Sequence, residues 1–274
     1  MWGRNTILLL CLLLAAIPAS AQSSRDLPAV YDGVGIQEHL GELAPLDLRF
    51  ANAAGDSVRI ADLLVDEQPI VLNFVYHTCP MLCSILLDQL VEGLHGLERI
   101  PGDGYQLITV SMASFEDAEL AGRQKERYLA LLGRPGSEHG WHFLTGSETN
   151  VQALADGVGF GFRWVEETQE FAHPAALIFL AGDGTITRYL HGMHYPPEDL
   201  EMAIKEASIG SVASVLDRII LYCYRYDPES NSYVAHAENL MKIGGLLSLA
   251  TLGLLLFLLW RREAVRSAGM TAHA

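Results

Sequence analysis

Two cysteines separated by three residues, Cys79-Pro-Met-Leu-Cys83, carry the most chemistry in this 274-residue chain. A thiolate attacks disulfides and is a soft ligand for copper or zinc, so a close pair suits disulfide exchange or metal binding. A purely structural bridge is the third reading, although so short a loop restricts little of the unfolded chain. The surroundings of the pair narrow the choice. Ile70-Val-Leu-Asn-Phe-Val-Tyr76 is a near-continuous apolar run, the mark of a central strand buried on both faces. It leads straight into Cys79, and beyond Cys83 a helical pattern begins, with Ile85, Leu86, Leu90, Leu94 and Leu97 on one apolar stripe. Cys83 in the first turn of that helix would lie near unpaired N–H groups and the positive end of the helix dipole, which stabilise thiolates.

The elements that must position the pair follow from the rest of the pattern. Ser57–Leu64 reads as a short strand and turn, and Tyr105–Val110 as a second core strand. Glu116–Leu132 reads as a helix stopped by Gly133 and Pro135. Trp141–Leu144 suggests another strand and Asn150–Val158 a short helix. Ala175–Leu180 and Thr185–Leu190 flank Gly182-Asp-Gly184, a hairpin turn. Pro197 to about Leu221 looks helical, with proline in its first turn. Strands alternating with helices and closed by a hairpin predict an α/β domain.

Both chain ends are apolar. Ile7–Ile17 follows Arg4 and precedes Ala19-Ser-Ala21, the pattern of a secretory signal cleaved after Ala21, which would remove Cys11. Ile243–Trp260 is eighteen residues without a charge, followed by Arg261, Arg262 and Arg266. A helix of that length spans about 27 Å, near the thickness of a hydrocarbon core, and the positive-inside rule puts the tail in the cytoplasm. The expected plan is signal peptide 1–21, extended lead-in 22–44, folded domain 45–224, polar stalk 225–242, transmembrane helix 243–260 and cytoplasmic tail 261–274. The folded domain would face the periplasm from a single-pass anchor in the inner membrane. Residues 22–241 hold 13 of the 18 Lys+Arg and 32 of the 33 Asp+Glu, a net −19. That charge excludes a nucleic-acid binder, which needs a basic face, and 50% hydrophobic residues exclude a disordered chain.

Asn73-Phe-Val-Tyr-His-Thr-Cys79-Pro-Met-Leu-Cys83 and Phe171-Ala-His173-Pro-Ala-Ala-Leu-Ile-Phe-Leu-Ala-Gly-Asp-Gly184 together resemble the Sco/SenC family. These are thioredoxin-like copper proteins of cytochrome c oxidase assembly. The likeness spans about residues 45–205. It implies a thioredoxin-like fold with a central mixed sheet and copper ligation by Cys79, Cys83 and His173. Two thiolates and a neutral imidazole make a soft site for Cu(I) and can hold Cu(II) with a further donor. The implied role is a copper metallochaperone for the copper-site subunit of the oxidase, served by a copper donor or thiol reductant. The alternative is a thiol–disulfide oxidoreductase, with Cys79 attacking and Cys83 resolving. Ala172 stands where relatives commonly have Asp, Ser84 where they often have Pro, and Ser111-Met-Ala-Ser where the strand usually leads into Asp-Pro. Pro174 is a further departure and favours an extended His173.

Other candidates are weaker. His77 is expected at the lip of the site. His191, Met193 and His194 form either a strand end and turn or an auxiliary copper site, and Cys223 is an odd thiol. Asp88/Glu92, Glu116/Asp117 and Glu166/Glu167 read as solvated faces. There is no G-x-G-x-x-G, P-loop, G-x-S-x-G or H-E-x-x-H motif.

Overall fold

The computed structural model describes residues 32–65, 67–79 and 82–208, with short pieces at 224–227, 232–235, 248–249 and 251–253; for Leu82, Cys83, 224–227 and 232–235 it describes the backbone only. In chain order the elements are β1 (Gly35–Ile36), β2 (Arg49–Asn52), β3 (Ser57–Arg59), β4 (Ile70–Val75), α1 (Leu82–His95), β5 (Gln106–Ser111) and α2 (Ala118–Leu132). They continue as β6 (Trp141–Thr145), α3 (Glu148–Gly157), β7 (Phe160–Gly161), β8 (Arg163–Val165), β9 (Glu170–Ala172), β10 (Ala176–Leu180), β11 (Ile186–His191) and α4 (Pro197–Ala207).

The three strands with no polar face, β4, β5 and β10, are buried at every residue. They occupy the middle of a seven-stranded sheet ordered β11-β10-β4-β5-β6-β2-β3. β4, β5 and β6 run parallel. β10 runs antiparallel to β4, β11 to β10, β2 to β6 and β3 to β2. The sheet is therefore mixed, as the resemblance implies. α1 and α2 are the crossovers of the parallel strands, and a strand–helix–strand crossover is right-handed, which puts both helices on one face.

The helices differ from the sequence pattern at their edges. On α1 the core-facing residues are Leu86, Leu87, Leu90, Val91 and Leu94, while Ile85, expected on the stripe, is exposed. α2 begins at Ala118, two residues after Glu116, because Asp117 Oδ1 accepts the Leu120 N–H at 2.8 Å and caps the first turn. It ends on Gly133 in the left-handed conformation, whose N–H reaches Leu129 O. α4 ends at Ala207, and 209–221, the rest of the helix expected there, lies outside the described residues. β2, β7 and the β8–β9 hairpin are short strands that the sequence pattern does not mark. Across the expected boundary of domain and stalk, 224–227 and 232–235 pair as an antiparallel hairpin. The signal segment lies outside the described residues. So does most of 243–260, whose described residues are helical. No helix among the described residues is long and apolar enough to cross a membrane.

Two packing details have measurable consequences. A methyl group placed on Gly93 of α1 would overlap the Tyr195 carbonyl oxygen and the Leu200 side chain of α4. Gly93→Ala should therefore cost about 1–3 kcal/mol despite the better helix propensity of alanine. A lowered urea midpoint at unchanged slope is the expected result. His142 on β6 accepts burial beside Gln106, its Nε2 3.1 Å from Gln106 Oε1. Burial, then the charge of Lys125, pushes its pKa down to about 4. The unfolded chain binds a proton near pH 6.5 that the folded chain refuses, so stability should fall as pH drops from about 6.5 to 4, by up to about 3 kcal/mol. Urea titrations across that window should show a shallower pH slope for His142→Gln.

Candidate metal centre

The register of β10 on β4 decides what meets at the sheet edge. Ile178 lies opposite Leu72, Phe179 opposite Val71 and Leu180 opposite Ile70. The segment entering β10 therefore runs past the C-terminal end of β4, where the chain turns toward Cys79. His173 is three residues before β10, and its ring meets Tyr76 edge-on at 6.2 Å and Phe160 at 6.5 Å. Tyr76 in turn holds Cys79, whose N–H donates to Tyr76 O at 3.2 Å. Tyr76 is thus the link between the cysteine turn and the histidine. Cys79 is half-buried and packs against the core.

His173 is prepared as a ligand by its backbone. Its Nδ1 lies 2.9 Å from Pro174 O. A carbonyl can only accept, so Nδ1 carries the proton and the ring lone pair falls on Nε2. Burial among Tyr76, Phe160 and the β9 strand pushes its pKa down, against a smaller upward pull from the Pro174 carbonyl. The imidazole is therefore neutral at pH 7, the form a metal requires.

The cysteine turn is held from the other side by Glu116. The residue is 6% exposed, and its carboxylate accepts His77 N–H at 2.9 Å, Thr78 N–H at 2.7 Å, Thr78 Oγ1 at 2.9 Å and Ser111 Oγ at 2.6 Å. This overturns its reading as half of a solvated acidic pair. Asp117, its neighbour, is exposed, as are Asp88, Glu92, Glu166 and Glu167. An aromatic rim borders the same edge: Phe115, 64% exposed, stacks on Phe171 at 6.4 Å and meets Trp164 at 6.1 Å.

Comparisons with known proteins bear on the family and the fold. The SCO1/SenC family model matches residues 43–208, more than half of the chain. The chain belongs to the SCO1/SenC family. No curated protein matches it significantly. Among solved structures, a putative electron transfer protein from Aquifex aeolicus VF5 is 23% identical, with TM-score 0.54, covering 61% of this chain and 94% of that one. BsSco, described as a member of the Sco family of cytochrome c oxidase assembly proteins and the subject of a disulfide switch, is 19% identical with TM-score 0.50, covering 63% and 97%. Arabidopsis thaliana ScoI with copper bound is 14% identical with TM-score 0.48, covering 58% and 94%. At these identities the likeness is one of fold, which is mixed α/β and thioredoxin-like.

Against the family pattern, the structure brings Cys79 and His173 to one edge and puts Cys83 on the second residue of α1; the side chain of Cys83 lies outside the described residues. No cluster of three His, Cys, Asp or Glu side chains at metal-binding distance occurs among the described residues. The Asp that Ala172 replaces is not needed to orient the imidazole, because Pro174 O does so. Where the family usually has Asp-Pro after β5, the carboxylate reaching the cysteine turn is that of Glu116. His77 is not at the lip of the site: its ring stacks on Phe143 of β6 at 5.9 Å, while Tyr76 turns to His173. Burial pushes the His77 pKa down against the upward pull of Glu116. Its Nε2 is buried without a hydrogen-bond partner among the described residues. His191 and His194 diverge, one 2.7 Å from Glu38 and the other 3.5 Å from Gln89, so they build no auxiliary site. Cys223 lies outside the described residues.

The histidine geometry is open to direct measurement. Nitrogen-15 and proton NMR of the metal-free protein should give His173 a titration midpoint below 6.5 and a proton on Nδ1 at neutral pH. A midpoint at or above 6.5, or the proton on Nε2, would contradict it.

Proposed function

We propose that this protein binds copper through Cys79, Cys83 and His173 and delivers it to an extracytoplasmic copper site of a cytochrome c oxidase subunit. The observation carrying the reading is that Tyr76, just past the end of β4, accepts the Cys79 N–H and touches the His173 ring, whose Nδ1 faces Pro174 O and leaves Nε2 as the ligating atom. Two thiolates with an imidazole suit a soft monovalent copper ion, and few ligands leave room for a partner's sulfur to enter. Copper is the cargo, passed on by ligand exchange with partner cysteines. The apolar segment 243–260 would anchor the domain on the periplasmic side of the inner membrane, confining donor and acceptor to the same surface. Family membership and the description of BsSco as a cytochrome c oxidase assembly protein support the same reading.

A second reading keeps the pair and drops the metal. Cys79 stands at the end of a central parallel strand and Cys83 in the first helical turn, a position that favours thiolates. The Cys79 thiolate would attack a partner's disulfide and release one partner thiol. Cys83 would then displace the second, leaving the partner as a dithiol and Cys79–Cys83 as the disulfide.

His173 separates the two readings. Purified wild type should carry about one copper per chain. Cys79→Ala, Cys83→Ala and His173→Ala should each lose most of it. His173→Ala with full copper would defeat the three-ligand reading. A variant that loses copper yet reduces a disulfide substrate at the wild-type rate would show that exchange needs only the cysteines.

A further inference from the structure

Glu116 is a buried carboxylate for which no Lys or Arg ion pair exists among the described residues. Burying an ion without a counter-ion is costly unless hydrogen bonds replace its water. Here four donors do so, and three of them belong to two consecutive residues, His77 and Thr78. The fourth, Ser111 Oγ, sits at the end of β5 and also bonds Ala113 N at 3.1 Å. That hydroxyl ties the carboxylate to a strand hydrogen-bonded alongside β4, with Ser111 opposite Val75.

His77 and Thr78 are the two central residues of the turn that Cys79 closes on Tyr76. Their N–H groups both point to one carboxylate instead of to solvent or to the cysteine sulfur. The direction in which Cys79 leaves β4 is therefore fixed by three points: Tyr76 O on one side and the two oxygens of Glu116 on the other. Charge-assisted hydrogen bonds of this kind are about twice as strong as neutral ones. Thr78 itself is exposed.

We propose that Glu116 is a positioning residue, whose carboxylate clamps the His77–Thr78 turn and thereby sets the presentation of the Cys79 sulfur. The proposal deepens the reading of Cys79 as a working sulfur and rests on it. Glutamine at 116 keeps one oxygen for Thr78 but presents an amide donor to His77 N–H and Ser111 Oγ, which share the other oxygen, so part of the clamp must open. Aspartate keeps the charge on a shorter arm. Ser111→Ala removes one of the four donors to the carboxylate together with its tie to β5, which loosens the clamp without abolishing it.

The test uses the metal-free, reduced full chain and two peptide-resolved measurements by mass spectrometry: hydrogen exchange at the His77 and Thr78 amides, and the rate of Cys79 alkylation by iodoacetamide. In Glu116→Gln, exchange at those amides should rise about tenfold or more, from lost charge-assisted bonds, and the Cys79 alkylation rate should change with it. Exchange within β6 should stay at the wild-type level, which marks an intact sheet. Glu116→Asp should recover part of both effects. Wild-type exchange at His77 and Thr78 in Glu116→Gln would overturn the proposal, and so would faster exchange with unchanged alkylation. Should Glu116→Gln fail to fold, Ser111→Ala decides by the same two readouts, with changes of smaller size. Neither readout involves copper, so full copper binding by Cys79→Ala would defeat the proposed function while leaving the clamp result standing.

Discussion

Antiparallel hydrogen bonding between β10 and β4 sets Ile178 against Leu72 and Leu180 against Ile70. The chain arriving at β10 therefore passes the point where the chain leaving β4 turns toward Cys79. The site depends on that register, because His173 and Cys79 are more than ninety positions apart in sequence. A slip of one residue would turn the apolar residues of β10, buried at every position, to the opposite faces of the sheet. The pairing is held by burial on both faces, and the histidine inherits its precision from the core.

Around that frame, short-range interactions set the chemistry. The Pro174 carbonyl takes the Nδ1 proton of His173, and burial keeps the ring neutral. Glu116 occupies the turn N–H groups before Cys79, and Tyr76 touches both halves of the site. Two negative thiolates and a neutral imidazole would suit a cation, in a chain whose net charge is already −15. Acidity of this extent modestly raises the local concentration of cations and repels anionic surfaces.

Strands buried on both faces were the most legible part of the sequence, since β10 shows as an unbroken apolar run, β4 as one interrupted only by Asn73, and β5 as a shorter one around Leu107, Ile108 and Val110. The cysteine spacing and distal histidine were legible for a different reason, as residue types that few other roles require. β7, β8 and β9 were not, being two or three residues long and partly exposed. Glu116 was hidden because exposed Phe115 and Asp117 flank it and its four partners are backbone N–H groups or hydroxyls, which no residue pattern marks. His77 was misplaced for a related reason: it opens a turn, where strand alternation no longer sets the face of a side chain, and only Phe143 reveals which face it took. The tautomer of His173 depends on the carbonyl of a residue whose sequence signal is its ring.

The central claim is that Cys79, Cys83 and His173 hold one copper ion together. X-ray absorption at the copper edge of the Cu(I)-loaded full chain tests it most directly. Two sulfur scatterers and one imidazole nitrogen around each copper is the result expected from this ligand set. Sulfur scattering alone, or a shell of nitrogen and oxygen without sulfur, would contradict it.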